Sequence, residues 1–246
     1  MTNVSDEFRS WLLPAARNPF EELLASVRFD DVARGRCGTV LVKLDDQGQV
    51  PLVRTTTPYP HPAQPFRDLH DRLAQEIRSG AFNNALIEHY TNAYATMKGH
   101  SDQALDLAAE STIAIYSCYR DPDRPSRRLL VTAKESRATF EIPLAHHSVV
   151  AFSLDTNRRF THAIKLVANA PDNEWLGITF RTSKTLVHFV DAQPYLGTAR
   201  LTLADDDQRR EFFQLRRREN AETSFTYPTL PYTLSEGDLR PPASPG

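Results

Sequence analysis

Between Ala85 and Arg181 the chain passes through a succession of short β-rich runs, at 85–90, 112–118, 129–132, 139–144, 149–154, 162–167 and 175–181. Turn-forming clusters such as Asp121-Pro122-Asp123 and Ala170-Pro171-Asp172-Asn173 divide them. A parallel sheet needs a crossover of about a dozen residues or more between successive strands, usually a helix. No helical periodicity alternates with these runs. Short strands at regular spacing with turn residues between them are the pattern of an antiparallel sandwich or barrel. The expected fold is therefore mainly β, with helices only at its flanks.

Those flanks are legible by the same rules. Within 19–27, Phe20, Leu23 and Leu24 recur at helical spacing. Segments 39–44 and 52–57 read as strands around Asp45-Asp46-Gln47-Gly48, which predicts a hairpin. Pro58, Pro60, Pro62 and Pro65 follow closely and predict an extended loop at the surface or a cavity edge, because proline cannot donate to a ladder. In 68–78, Leu69, Leu73 and Ile77 share one helical face, and Gly80 supplies a stop. A charged helix is expected at 205–219, followed from Thr226 by a Pro- and Ser-rich tail that wraps the surface or is partly disordered. The organisation predicted is one domain over 1–246. Helices and a hairpin at 1–80 flank a β core at 81–190, and the C-terminal helix and tail occupy 191–246.

The chain carries 29 Lys plus Arg against 31 Asp plus Glu, a net charge of −2. Such a balance gives no global field to gather nucleic acid or anionic membrane, which favours a small-molecule partner over a polyanion. Cys37 and Cys118 are the only cysteines, and they are far apart. That excludes a disulfide framework and a thiolate zinc site, and fits a reducing, cytoplasmic setting. No apolar run approaches the ~18 residues of a membrane helix, so no membrane partner is expected.

The segment that carries chemistry is Gly99-His100-Ser101-Asp102. On a strand, residues i and i+2 point to one face, so His100 and Asp102 would present an imidazole and a carboxylate to one point. Phe160-Thr161-His162-Ala163-Ile164 places a second histidine at the head of a β-rich run. Two imidazoles and one carboxylate on one face of Fe(II) leave positions open for a bidentate co-substrate and for O2. A dicarboxylate co-substrate such as 2-oxoglutarate also needs a cation inside the fold, and arginine offers a planar fork that matches a carboxylate. Arg181 closes the apolar run Trp175-Leu176-Gly177-Ile178-Thr179-Phe180, where alternation turns Thr179 and Arg181 to the same side. Tyr90 offers a hydroxyl to the same carboxylate. His146 and His147, in a turn before the 149–154 run, are the rival third ligands.

Phe82-Asn83, Leu86-Ile87-Glu88-His89-Tyr90, His100-Ser101-Asp102, His162-Ala163-Ile164 and Leu176-Gly177-Ile178-Thr179-Phe180-Arg181 together resemble the AlkB-like branch of the 2-oxoglutarate and Fe(II)-dependent dioxygenases. The resemblance covers Phe82 to Arg181. It implies a double-stranded β-helix, or jelly roll, with His100, Asp102 and His162 as iron ligands. It also implies Tyr90 as a hydrogen-bond donor to 2-oxoglutarate and Arg181 as a clamp for one of its carboxylates. The chain departs from the branch at two points: Glu88 stands where the demethylases usually carry asparagine, and Trp175 where they tend to have a second arginine. Lys184, Arg158 and Arg54 are candidates to replace that arginine.

Asn157, Arg158 and Arg54 are the candidate substrate contacts, the first two because they lie in a loop just before His162. Residues 55–59 read either as an edge strand with its loop or as a cavity wall. Three functions are expected in order. The first is a dioxygenase that hydroxylates, demethylates or desaturates a small molecule, with succinate and CO2 as co-products. The second is a demethylase of alkylated nucleic acid or protein, and the third a non-catalytic jelly-roll binding protein.

Overall fold

The computed structural model describes residues 7–14 and 17–243. Its centre is a large sheet built from β1 (Arg9–Leu12), β2 (Asp30–Ala33), β3 (Arg36–Val42), β6 (Asn84–Tyr90), β7 (Thr112–Tyr119), β10 (Ser148–Ser153) and β12 (Trp175–Arg181), once the intervening short strands β4 (Val50–Pro51) and β5 (Gln64–Pro65) and the smaller-sheet strands β8 (Arg127–Ala133), β9 (Thr139–Leu144) and β11 (Phe160–Leu166) are numbered in chain order. The large sheet runs β1-β10-β7-β12-β6-β3-β2, with β5 added to β3. The smaller sheet runs β11-β8-β9. Apart from the parallel β3–β5 pair these sheets are antiparallel, as the strand pattern predicts, and they form the jelly roll that the resemblance implies.

Strands β7 and β12 are buried almost throughout, which a strand of a one-sided sheet would not be. Two clusters explain it. On the inner face, Ile113, Ile115 and Val150 of the large sheet pack against Leu129, Val131 and Ile164 of the smaller one. On the outer face, α1 (Phe20–Ala25) and α2 (Asp68–Ile77) lay Phe20, Leu23, Leu73 and Ile77 onto Leu41, Ile87, Tyr116 and Ile178. Each buried Leu or Ile contributes about 2 kcal/mol of transfer free energy. The sequence runs TIAIYSCY and WLGITFR are accordingly apolar at both parities.

The expected hairpin at 39–57 is not formed. Its turn exists: Asp45 Oδ1 accepts from the amides of Gln47 and Gln49, at 2.9 and 2.7 Å. The strands on either side nevertheless part. β3 pairs with β6 along one edge and with β2 and then β5 along the other, so neither edge is free for β4. β4 instead joins β13 (Leu186–Val190), which forms a hairpin with β14 (Gln193–Leu196). The 155–159 segment, expected as a loop, belongs to a short helix, α3 (Leu154–Arg159), capped by the Ser153 hydroxyl.

The C-terminal helix, α4 (Asp206–Ala221), starts at a reciprocal cap in which Asp205 Oδ1 accepts from Gln208 N and Gln208 Oε1 accepts from Asp205 N. The tail beyond it wraps back and becomes part of the core: Leu230, Tyr232 and Leu234 are buried against Phe212 and Ala204. Among the described residues no helix is long and apolar enough to cross a membrane.

Candidate metal centre

His100 and Asp102 lie in the connection between β6 and β7 and not on a regular strand. His100 joins β11 through a single antiparallel bridge, donating its amide to His162 O at 3.0 Å and accepting from His162 N at 2.8 Å. The equal facing expected from strand alternation is thus achieved by other means. Ser101 turns away and donates its hydroxyl to Phe160 O at 2.8 Å. Asn157 of α3 holds Asp102 from behind, accepting from its amide at 2.8 Å and donating to its carbonyl at 2.7 Å.

The result is a compact donor set. One ligand atom from each of His100, Asp102 and His162 lies within 4.8 Å of the others. Asp102 Oδ1 is 3.3 Å from His162 Nε2 and 3.7 Å from His100 Nε2. His100 Nδ1 stands 3.0 Å from Lys98 O, a pure acceptor, so the proton sits on Nδ1 and the Nε2 lone pair faces Asp102. Burial and the neighbouring His162 imidazole push His100 down to about 3, which keeps it neutral. Burial alone would raise the Asp102 carboxyl, but the Arg181 guanidinium and the hydrogen bond from His162 hold it well below the usual carboxylate range. Arg181 Nε donates to Asp102 Oδ2 at 2.6 Å, leaving Oδ1 for the imidazole side. Two imidazole nitrogens and one carboxylate oxygen are a donor set that suits Fe(II), and the cavity they line leaves room for further ligands.

That cavity has a volume of about 700 Å³, and Arg181 and Thr179 both line it. Residues 55–57 form part of its wall. The loop that carries the ligands is gripped from the C-terminal side by α4. Arg216 Nη2 donates to Ser101 O at 2.8 Å, Asn220 Oδ1 accepts from Ser101 N at 2.9 Å, and Glu219 Oε1 accepts from Ala104 N at 2.8 Å. Lys98 and Arg217 stand exposed at the mouth.

Other expected site residues are placed differently. Asn157, expected at the substrate, is buried behind Asp102. Arg158 is exposed on α3, outside the cavity lining, and Lys184 is exposed as well. Arg54 reaches the cavity wall, but its guanidinium is committed: Nη2 donates to Asp106 Oδ1 at 2.7 Å and Nη1 to Leu230 O at 2.6 Å. Tyr90 is fully buried, and its hydroxyl donates to Glu88 Oε2 at 2.8 Å. His147 Nδ1 meets the Tyr116 hydroxyl at 3.0 Å and His146 Nδ1 accepts from Tyr119 N at 3.1 Å, so both are fastened to β7 and apart from the donor set. Trp175 folds its indole across Gly177, where a Cβ would lie 2.0 Å from the ring.

Arg36 and Asn220 escaped the sequence reading, and Arg216, whose run Arg216-Arg217-Arg218 reads as the basic end of a solvated mixed-charge helix, is instead buried against the ligand loop. Arg36 faces the cavity because β3 pairs it with Tyr90. Only an inward cation alternating with Gly38 and Val40 in the sequence could have hinted at it.

Comparison with known proteins places residues 42–203, well over half of the chain, within the family model described as the 2OG-Fe(II) oxygenase superfamily. No curated protein matches the chain.

Proposed function

The chain belongs to the 2OG-Fe(II) oxygenase superfamily, and from that premise we propose that it oxidises a small molecule admitted to the cavity beside His100, Asp102 and His162. It is a 2-oxoglutarate-dependent non-haem iron dioxygenase, and its cofactors are Fe(II), 2-oxoglutarate and O2. When bound, these supply the oxidation: 2-oxoglutarate is decarboxylated to succinate and CO2, and the oxidising equivalent is spent on a substrate carbon. The observation that carries the reading is the convergence of three ligand atoms, within 4.8 Å of one another, in the wall of one cavity.

In this reading the residues divide the work. His100 and His162 would offer nitrogen donors and Asp102 an ionised oxygen. Asp102 keeps the third protein position filled, which favours hydroxylation, demethylation or desaturation over halide transfer. Arg181 fixes the orientation of Asp102 and brings a positive charge beside the co-substrate. Asn157 and the α4 residues hold the loop so that the donors arrive already aligned. A cavity of about 700 Å³ lies within the ~300–1,000 Å³ range of small-molecule sites.

A second reading, demethylation of alkylated nucleic acid, is favoured by one feature, the exposed Lys98 and Arg217 at the mouth. Oligonucleotide binding that weakens steeply with salt would support it.

The test is an anaerobic titration with Fe(II) and 2-oxoglutarate, followed by admission of O2. A weak visible charge-transfer band and then succinate are expected. Asp102→Ala and His162→Ala should lose both, and undiminished succinate formation in either variant would defeat the assignment.

A further inference from the structure

The buried cations of the cavity are already matched with carboxylates supplied by the chain itself. Arg181 is held by Asp102, Arg54 by Asp106, and Arg216 by Glu219. The remaining one is Arg36, whose side chain is 14% exposed and whose partner, Glu88, is 7% exposed. Arg36 Nη2 and Nε lie 2.6 and 2.8 Å from Glu88 Oε1, while the Tyr90 hydroxyl donates to Oε2 at 2.8 Å. A guanidinium and a phenol thus grasp one carboxylate on both oxygens, which is how a protein holds the carboxylate of a ligand. Here the occupant is a side chain of the protein.

Strand register explains the arrangement. β3 and β6 place Arg36 opposite Tyr90 and Gly38 opposite Glu88, all on the cavity face. Gly38 leaves the room this needs, since a Cβ there would stand 3.1 Å from the Tyr59 hydroxyl and 3.3 Å from Glu88 Cγ. The Tyr59 hydroxyl and the Trp175 indole N–H are buried without a hydrogen-bond partner among the described residues. Tyr59 adjoins Glu88 through the space at Gly38, and Trp175 packs on Tyr90 at 4.8 Å between centroids. Unsatisfied donors in a buried cluster are rare, and they mark a place where an acceptor would be welcome.

We propose that the Arg36–Tyr90 cradle is the seat for the distal carboxylate of 2-oxoglutarate, and that Glu88 is an internal carboxylate that competes for it and sets the choice among 2-oxoacids. The proposal rests on the reading of the cavity as an iron and 2-oxoglutarate site. A 2-oxoacid that meets the metal through its keto-acid end brings a second carboxylate into the cavity only if it is a dicarboxylate. That second charge must share Arg36 with Glu88 or displace it, and two carboxylates at one cation repel each other. A monocarboxylate such as 2-oxobutyrate meets no such conflict. Trp175, which packs on Tyr90 from β12, brings no charge to that end of the cavity, and Arg36 on β3 supplies it.

The experiment measures anaerobic affinities of the Fe(II)-loaded full chain for 2-oxoglutarate and for 2-oxobutyrate, by calorimetry and by the visible band. It compares the unaltered protein with Glu88→Gln and Glu88→Ala, the first retaining shape and the second removing the side chain beyond Cβ. The affinity ratio of 2-oxoglutarate to 2-oxobutyrate is expected to rise at least tenfold in a variant that keeps its Fe(II) affinity. A smaller rise, or a fall, overturns the role of Glu88. Failure of all three proteins to bind either oxoacid with Fe(II) in place would instead remove the co-substrate reading, and this proposal with it.

Discussion

Asn157 and Asp102 exchange two hydrogen bonds through one side chain: the Asn157 amide accepts from the backbone N–H of Asp102 at 2.8 Å and donates to its backbone carbonyl at 2.7 Å. The pair is buried, so neither backbone group has water as an alternative. Asn157 therefore acts on the candidate metal through the ligand it holds. Outer partners of this kind typically set ~10–100-fold of metal affinity. Asn157→Ala should weaken Fe(II) binding in that range while far-UV circular dichroism stays unchanged. Unaltered Fe(II) affinity would show that the ligand loop keeps its shape without it.

Helix α4 gives the second prediction. Arg216 is buried, donates to Ser101 O, and pairs with Glu219, which also accepts from the Tyr227 hydroxyl at 2.6 Å. Removing one member of a buried pair leaves the other charge unmatched, a cost of about 3–5 kcal/mol. Arg216→Met should lower the urea midpoint accordingly and loosen the ligand loop, so that Fe(II) affinity falls with it. Glu219→Gln keeps an acceptor for Ala104 N and should cost less. Equal losses in the two variants would contradict this account.

A pH dependence follows from His70, which ties α2 to α1. Its Nδ1 accepts from Arg67 N at 3.1 Å, so Nε2 carries the proton and meets the Ser26 hydroxyl at 3.0 Å. The ring is fully buried, and burial with the nearby Arg67 pushes it down to about 4. In the unfolded chain it titrates near ~6.5. The folded value is the lower one, so this contribution is fully present above pH 6.5 and is lost as pH falls toward 4. At roughly 1.4 kcal/mol per unit the loss is about 3 kcal/mol. His70→Gln should flatten the stability profile between pH 6.5 and 4, as read from urea midpoints, and an unchanged slope would count against it.

The three candidate ligands and the central strands were legible because they depend on local pattern. Strands β6, β7 and β12 announce themselves through apolar residues at both parities, and His100, Asp102 and His162 through residue type and spacing. What was not legible depends on partners chosen across the chain. The turn at Asp45 was readable, but nothing near it shows that β2, β5 and β6 take both edges of β3. The β13–β14 hairpin turns on Asp191 and Ala192, both at positive φ without the glycine that usually signals such a turn. Asn157 looked like a loop residue facing substrate because the helix that buries it is only Leu154–Arg159. Arg36 enters the cavity solely through its register with Tyr90, which residue 36 cannot reveal by itself.

The C-terminal tail supplies the last prediction, in which the sign of the pH effect is reversed. Asp238 follows Gly237, whose amide donates to Tyr59 O at 2.9 Å and fastens the tail to the cavity-edge loop. Its carboxylate accepts from the Thr233 hydroxyl, and that hydroxyl accepts from Ser235 N at 3.2 Å. Burial raises the carboxyl to about 7, against the lowering effect of the Thr233 bond, and nearby Asp106 adds to the rise while Arg54 opposes it. An unfolded aspartate titrates near ~3.9. Between about pH 4 and 7 the folded chain thus holds a proton that the unfolded chain has released, and stability falls as pH rises through that window. Asp238→Asn replaces the carboxyl with a neutral group of the same shape. It should leave the melting temperature nearly unchanged at pH 4, where the folded carboxyl is neutral and the unfolded one only about half ionised, and raise it at pH 8, where the native charge stands near Asp106. Because the tail also carries Leu230 O and Tyr232 O, the acceptors of Arg54, the same variant should slow proteolysis of the tail at pH 8. An equal shift in melting temperature at both pH values would mean that Asp238 acts through shape and not through charge.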